Sequence, residues 1–105
     1  MSKIYTSFAE LIGNTPLLNV SKYAAQAGVT DATIVAKLEY FNPAGSVKDR
    51  IAYAIIKDAV ESGQLKDGGT IVEATSGNTG IGISAVGTSL GYKVIIVMPD
   101  TMSVE

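Results

Sequence analysis

The chain has 105 residues, long enough for one domain with a real core but not for two. Hydrophobic residues make up 47% and charged residues 17%, a globular balance; net charge is −2 and the eight basic residues are scattered, so no basic stripe exists to grip nucleic acid. Cysteine and histidine are both absent, which excludes disulfides, thiol chemistry, a Ser-His-Asp triad and an ordinary zinc site, and leaves proton transfer to Lys, Asp, Glu or Tyr.

In chain order, Ser7 to Ile12 reads as a short helix stopped by Gly13. Asn14-Thr15-Pro16 turns the chain into the apolar Leu17-Leu18-Asn19-Val20, and Ser21 is placed to cap a second short helix running to Gly28. Thr33 to Glu39 is β-branched and partly alternating, the pattern of a strand. Tyr40 to Gly45 is a loop with two strong breakers, Pro43 and Gly45. Ser46 then stands three residues before Asp49, a capping-box-like start to a helix that ends at Gly63, with Val47, Ile51, Ile55 and Ala59 expected on its inner face.

Asp67-Gly68-Gly69 is a turn, Thr70 to Ala74 a strand, and Thr75 to Gly80 a loop opening into a helix that reaches Leu90. Lys93 to Met98 is a nearly all-apolar strand, of the kind buried on both faces of a parallel sheet. Strand, helix and strand form a right-handed βαβ unit, so the class is α/β: a parallel sheet with flanking helices. After Pro99 another helix has room to begin, and a sheet ending there leaves an edge or face for later elements to cover, so the chain reads as a fragment. The N-terminus has no basic region followed by an apolar stretch and no apolar run reaches membrane-spanning length, so a soluble cytoplasmic setting is expected.

Two places carry candidate chemistry. The loop Thr75-Ser76-Gly77-Asn78-Thr79-Gly80 lies between the carboxyl end of a strand and the start of a helix, where open α/β sheets bind ligands and helix N–H groups attract anions. Its glycine order is neither the dinucleotide fingerprint nor a phosphate loop, and polar helix starts also occur without any ligand. Gly80, Gly82 and Gly87 each cost the helix about 1 kcal/mol relative to alanine, a cost that close packing or ligand approach would explain.

The second place is Lys48, at the second helical position if Ser46 is the cap. An ammonium there faces the positive helix end, which disfavours it by about 0.3–1 kcal/mol. Neighbouring Asp49 acts the other way. Locally, Lys48 reads first as a surface lysine on an amphipathic helix, and local physics does not single it out.

Three segments taken together change that balance: Gly13-Asn14-Thr15-Pro16-Leu17, Asn42-Pro43-Ala44-Gly45-Ser46-Val47-Lys48-Asp49-Arg50 and Thr75 to Gly80, followed by Met98-Pro99-Asp100-Thr101-Met102-Ser103. The ordered set, running from about Ile12 to the last residue, resembles the cysteine synthase (O-acetylserine sulfhydrylase) and cystathionine β-synthase group of fold-type II pyridoxal 5′-phosphate enzymes. The resemblance implies an N-terminal part of that fold, with residues 1–40 as an arm plus strand and 41–105 as the small domain carrying Lys48 and the Thr75–Gly80 loop.

It also implies that Lys48 is the Schiff-base lysine and the base for the substrate α-proton. Asn78 would hydrogen-bond the 3′ oxygen of the cofactor ring, and Thr75, Ser76, Gly77 and Thr79 would grip the substrate α-carboxylate. The implied reaction is β-replacement, forming L-cysteine from O-acetylserine and sulfide. Asp49 and Arg50 are given structural roles. The family's loop for the cofactor phosphate falls beyond residue 105, so turnover by these residues alone is not expected.

Cystathionine β-synthase is the nearest alternative within this chemistry. Dehydratases of the same type fit less well, since their motif has an aromatic residue where this chain has Val47. The family implies a homodimer and binding of the C-terminal tail of serine acetyltransferase. A non-catalytic domain that binds a peptide carboxylate at Thr75 to Thr79 is the alternative of another class.

Overall fold

The computed structural model describes residues 2–102. Ser7 accepts a hydrogen bond from the Ala9 amide at 3.3 Å and so caps a short 3-10 helix, Phe8–Leu11. Gly13 and Asn14 follow with φ of 85° and 49°, the left-handed region that glycine and asparagine enter at least cost. They turn the chain into strand β1, Leu17–Asn19. Helix α1, Ser21–Gln26, links β1 to strand β2, Val35–Lys37, which pairs antiparallel with β1, Leu17 facing Lys37.

Two local expectations change here. The cap of α1 is Val20, and Ser21 is the first helical residue, its hydroxyl donating to Asn19 Oδ1. The strand expected over Thr33–Glu39 shortens to Val35–Lys37, because β1 offers only Leu17–Asn19 as a partner and Glu39–Phe41 coils into a second 3-10 helix.

Helix α2, Lys48–Glu61, ends near Gly63, as the sequence indicates. Its inner face differs from the expectation. Val47, Ile51 and Ile55 stay 42%, 42% and 49% exposed, whereas Ala52 and Ile56 are buried at 0% and 2%. The helix carries apolar residues on both sides, so period alone could not choose between them. Packing chose the side where small Ala52 admits a neighbouring helix closely.

That neighbour is α3, Asn78–Ser89, which joins β3, Thr70–Ala74, to β4, Lys93–Val97. β3 and β4 pair in parallel, Thr70 beside Lys93 and Ala74 beside Val97. Ile83 and Val86 of α3 meet Ala52 and Ile56 in the core, with Ile71, Val94 and Ile96 packed below from the sheet and Phe8 and Ile12 from the N-terminal segment. The α/β class and the parallel βαβ unit therefore stand.

β4, however, is covered on one face only. Val72, Ile95 and Val97 point the other way and remain 62%, 41% and 53% exposed, because α2 stacks on α3 and not on the second face of the sheet. The result is a slab of 53 × 45 × 24 Å with a radius of gyration of 17.8 Å, against about 13 Å for a compact domain of this length. Where a further helix had room to begin, Pro99 to Met102 form a turn, and residues 103–105 lie outside the described residues. Among the described residues, no helix is long and apolar enough to cross a membrane.

Candidate active site

Lys48 is held in place by the loop before it, and five hydrogen bonds hold that loop. The buried Asn42 side chain accepts from the Gly13 amide at 2.8 Å and donates to the Glu39 carbonyl and to Glu39 Oε2, each at 2.7 Å. The Ala44 amide donates to Asp49 Oδ2 at 2.6 Å. The Lys48 amide donates to the Ser46 hydroxyl at 3.1 Å, while Gly45 makes the turn between with φ of 92°. The expected capping box does not form: the cap of α2 is Val47, Lys48 is the first helical residue rather than the second, and Asp49 reaches past Ser46 to Ala44. Asp49 is fully buried, and its Oδ1 lacks a hydrogen-bond partner among the described residues. It sits in the first turn of α2.

Glu39 is the centre of a polar network that sequence reading missed. Arg50 donates to it twice, Nε to Oε2 at 2.9 Å and Nη2 to Oε1 at 3.1 Å, and Thr15 Oγ1 and Lys37 Nζ also reach Oε1, at 3.3 and 3.2 Å. The Arg50 hydrogen bond, helped by those from Asn42 and Lys37, outweighs desolvation and holds the Glu39 carboxyl at about 2. The Arg50 guanidinium is pushed up in turn by the same partner. Arg50 also explains Gly13, since a methyl built there would stand 3.2 Å from Nη1. The motif residues Gly13, Thr15, Asn42 and Arg50 signalled this tie; Glu39, read as the end of a strand, did not. The structural roles expected for Asp49 and Arg50 match these contacts.

On the other side of the site, the loop after β3 keeps its strand anchored through the Thr75 amide, which donates to the Val97 carbonyl at 3.1 Å. Gly77 caps α3 without a side chain, so no cap oxygen competes for the first-turn amides of the helix. Thr75, Ser76 and Gly77 form one end of a cleft of about 590 Å³ that runs along Ser84 and Thr88 to Ile96 and Met98. Lys48 and Asn78 are outside this cleft. The predicted residues therefore divide: Thr75, Ser76 and Gly77 share the cleft mouth, Thr79 does not line it, and Lys48 approaches α3 elsewhere.

Gly82 is where that approach occurs. The Lys48 carbonyl oxygen lies 3.1 Å from the position a Cβ would take on Gly82. Asn78 stands four residues earlier on α3, one turn nearer the loop and on the same side of the helix. The start of α2 thus lies against α3 one turn beyond Asn78. The other two helix glycines also serve packing: a methyl at Gly80 would meet Thr75 Cγ2 at 2.8 Å, and one at Gly87 would meet Val94 Cγ2 at 2.7 Å.

Residues 8–105 match the family described as pyridoxal-phosphate dependent enzyme. The chain belongs to this family. It is 50% identical over 105 residues to a probable cysteine synthase of Bacillus subtilis (strain 168), covering 100% of this chain and 33% of that protein. It is 48% identical over 103 residues to cystathionine beta-synthase of Mus musculus, covering 98% of this chain and 18% of that one. The crystal structure of O-acetyl serine sulfhydrylase isoform 3 from Entamoeba histolytica superposes with a TM-score of 0.87 at 48% identity, over 97% of this chain and 31% of that one. The chain therefore spans about a third, or less, of the length of these relatives.

The residues present fit the aldehyde end of pyridoxal phosphate. Lys48 offers the primary amine, partly buried beside a helix start, and Asn78 offers an amide on the adjacent helix face.

Proposed function

We propose that the chain is the N-terminal part of a cysteine synthase, an enzyme that as a whole replaces the acetoxy group on the β-carbon of O-acetylserine with sulfide to give L-cysteine and acetate. The packing of the Lys48 backbone against Gly82, one turn beyond Asn78, supports this reading, because it sets the starts of α2 and α3 side by side. The relatives named cysteine synthase and O-acetyl serine sulfhydrylase support the substrate. Residues 41–105 form the unit proposed to carry the site, and 1–40 an arm that braces it.

Lys48 Nζ would hold the cofactor's aldehyde carbon and, once released, take the proton from the substrate α-carbon. When bound, the cofactor supplies an electron sink for the pair left behind. Asn78 would orient the ring through its 3′ oxygen. The hydroxyls of Thr75, Ser76 and Thr79 and the backbone at Gly77 would hold the substrate carboxylate at the positive end of α3. The same reading includes a cytoplasmic homodimer and capture of the carboxylate-ended tail of serine acetyltransferase at that loop.

A second reading keeps the residues and changes the nucleophile to the thiol of homocysteine. The near-equal identity to cystathionine beta-synthase, 48% against 50%, favours keeping it.

The test is a titration with pyridoxal phosphate followed by borohydride reduction and peptide mapping, on this chain and its Lys48→Ala variant. Saturable labelling concentrated at Lys48 and lost in the variant is the expected result. Labelling spread evenly over exposed lysines such as Lys22 and Lys57, and unchanged in the variant, overturns the assignment.

A further inference from the structure

We propose that Gly82 is a positioning residue for Lys48: its missing side chain sets how deeply the first turn of α2 seats against α3. The inference rests on the reading of Lys48 given above. A methyl built on Gly82 would stand 3.1 Å from the Lys48 carbonyl oxygen and 3.2 Å from both the Lys48 carbonyl carbon and Ala52 Cβ. Two of these three atoms are backbone of Lys48 itself. They cannot rotate aside as a side chain can.

The comparison with the other packed glycines of α3 isolates the point. At Gly80 and Gly87 the nearest atoms are side-chain methyls, Thr75 Cγ2 and Val94 Cγ2. Gly82 and Ala52 are both fully buried, so no solvent gap exists to absorb an added carbon. Helix geometry ties the Lys48 carbonyl to the amide four residues on. Displacing it moves the first turn as a unit, and the root of the Lys48 side chain with it. Asn78 and the Thr75–Thr79 loop, fixed to α3 and β3, stay behind. Gly82 thereby sets the separation between the amine and the groups proposed to hold ring and carboxylate. A misplacement of about 1 Å between reacting groups can cost about 10²-fold, so a shift of a few tenths of an ångström is enough to register.

The test compares four chains: wild type, Gly82→Ala, Gly87→Ala and the double variant Gly82→Ala/Ala52→Gly. Each is labelled with pyridoxal phosphate and borohydride, and the rate at Lys48 is divided by the mean rate at exposed lysines of the same chain; thermal melting is followed by circular dichroism. Gly82→Ala should lower the Lys48 ratio several-fold, toward about 10²-fold at most, while Gly87→Ala leaves the ratio alone. The double variant should recover melting lost to the Ala52 methyl, yet keep the low ratio, because the Lys48 carbonyl contact remains.

A wild-type ratio near unity sinks the Lys48 assignment itself and this inference with it. A wild-type preference for Lys48 that survives Gly82→Ala overturns the inference alone. So does an equal loss in Gly82→Ala and Gly87→Ala, or recovery of the ratio together with melting in the double variant. Failure of both Gly82 variants to fold assigns the glycine to folding and likewise overturns the positioning role.

Discussion

The segment β1–α1–β2 and the layer formed by α2, α3, β3 and β4 are held by different forces. From Leu17 to Lys37 only Ala24 is a buried apolar residue, and both strands of that sheet are largely exposed. Its attachment is polar: Glu39, at its end, is gripped by Arg50 and Asn42, and Thr15, at its start, joins the same carboxylate. In the second layer Ala52, Ile56, Ile83 and Val86 close an apolar core. Apolar packing is cooperative and indifferent to pH, whereas a carboxylate hub is directional and titrates. Lys48 lies between the two, clamped by the polar network through its loop and by the core through Gly82.

Three measurements separate these contributions. The largest effect is expected from Ile56→Ala, which empties the centre of the apolar layer and should lower stability by about 2–5 kcal/mol in urea unfolding. Asn42→Ala should cost about 1–3 kcal/mol, since it strands the Gly13 amide and removes a partner from Glu39. Hydrogen exchange should then quicken in residues 13–19 well before it quickens in α3; equal quickening in both would mean that the two regions unfold as one. The smallest effect near neutral pH is expected from Glu39→Gln, but it has a pH signature. A carboxylate held at about 2, below its usual 4.5, contributes fully above the usual value and loses that contribution as pH falls toward 2. Acid unfolding between those values should therefore be flatter in Glu39→Gln than in wild type, and identical profiles would remove Glu39 from the account.

Much of the local architecture was legible in the residues. Gly13 and Gly63 mark real stops, β3 runs over Thr70–Ala74 as read, and the Thr75–Gly80 loop does open a helix. These features depend on backbone torsions and side-chain bonds within a few residues, which sequence specifies directly. The cap of α1 escaped because Ser21 found Asn19 rather than an amide of its own helix. Glu39 escaped because nothing near it in the chain reveals an arginine eleven residues on.

By itself the sequence determined the order of elements, the α/β class, the family and the placement of Lys48 at a helix start. Tertiary structure alone decided which side of α2 turned inward, which face of the sheet stays open, and that the Lys48 carbonyl rests on Gly82. The physical reason is common to all three. Each depends on what a second element offers across space, a small residue to approach or a layer to lie under, and periodicity along one element carries no record of its neighbour.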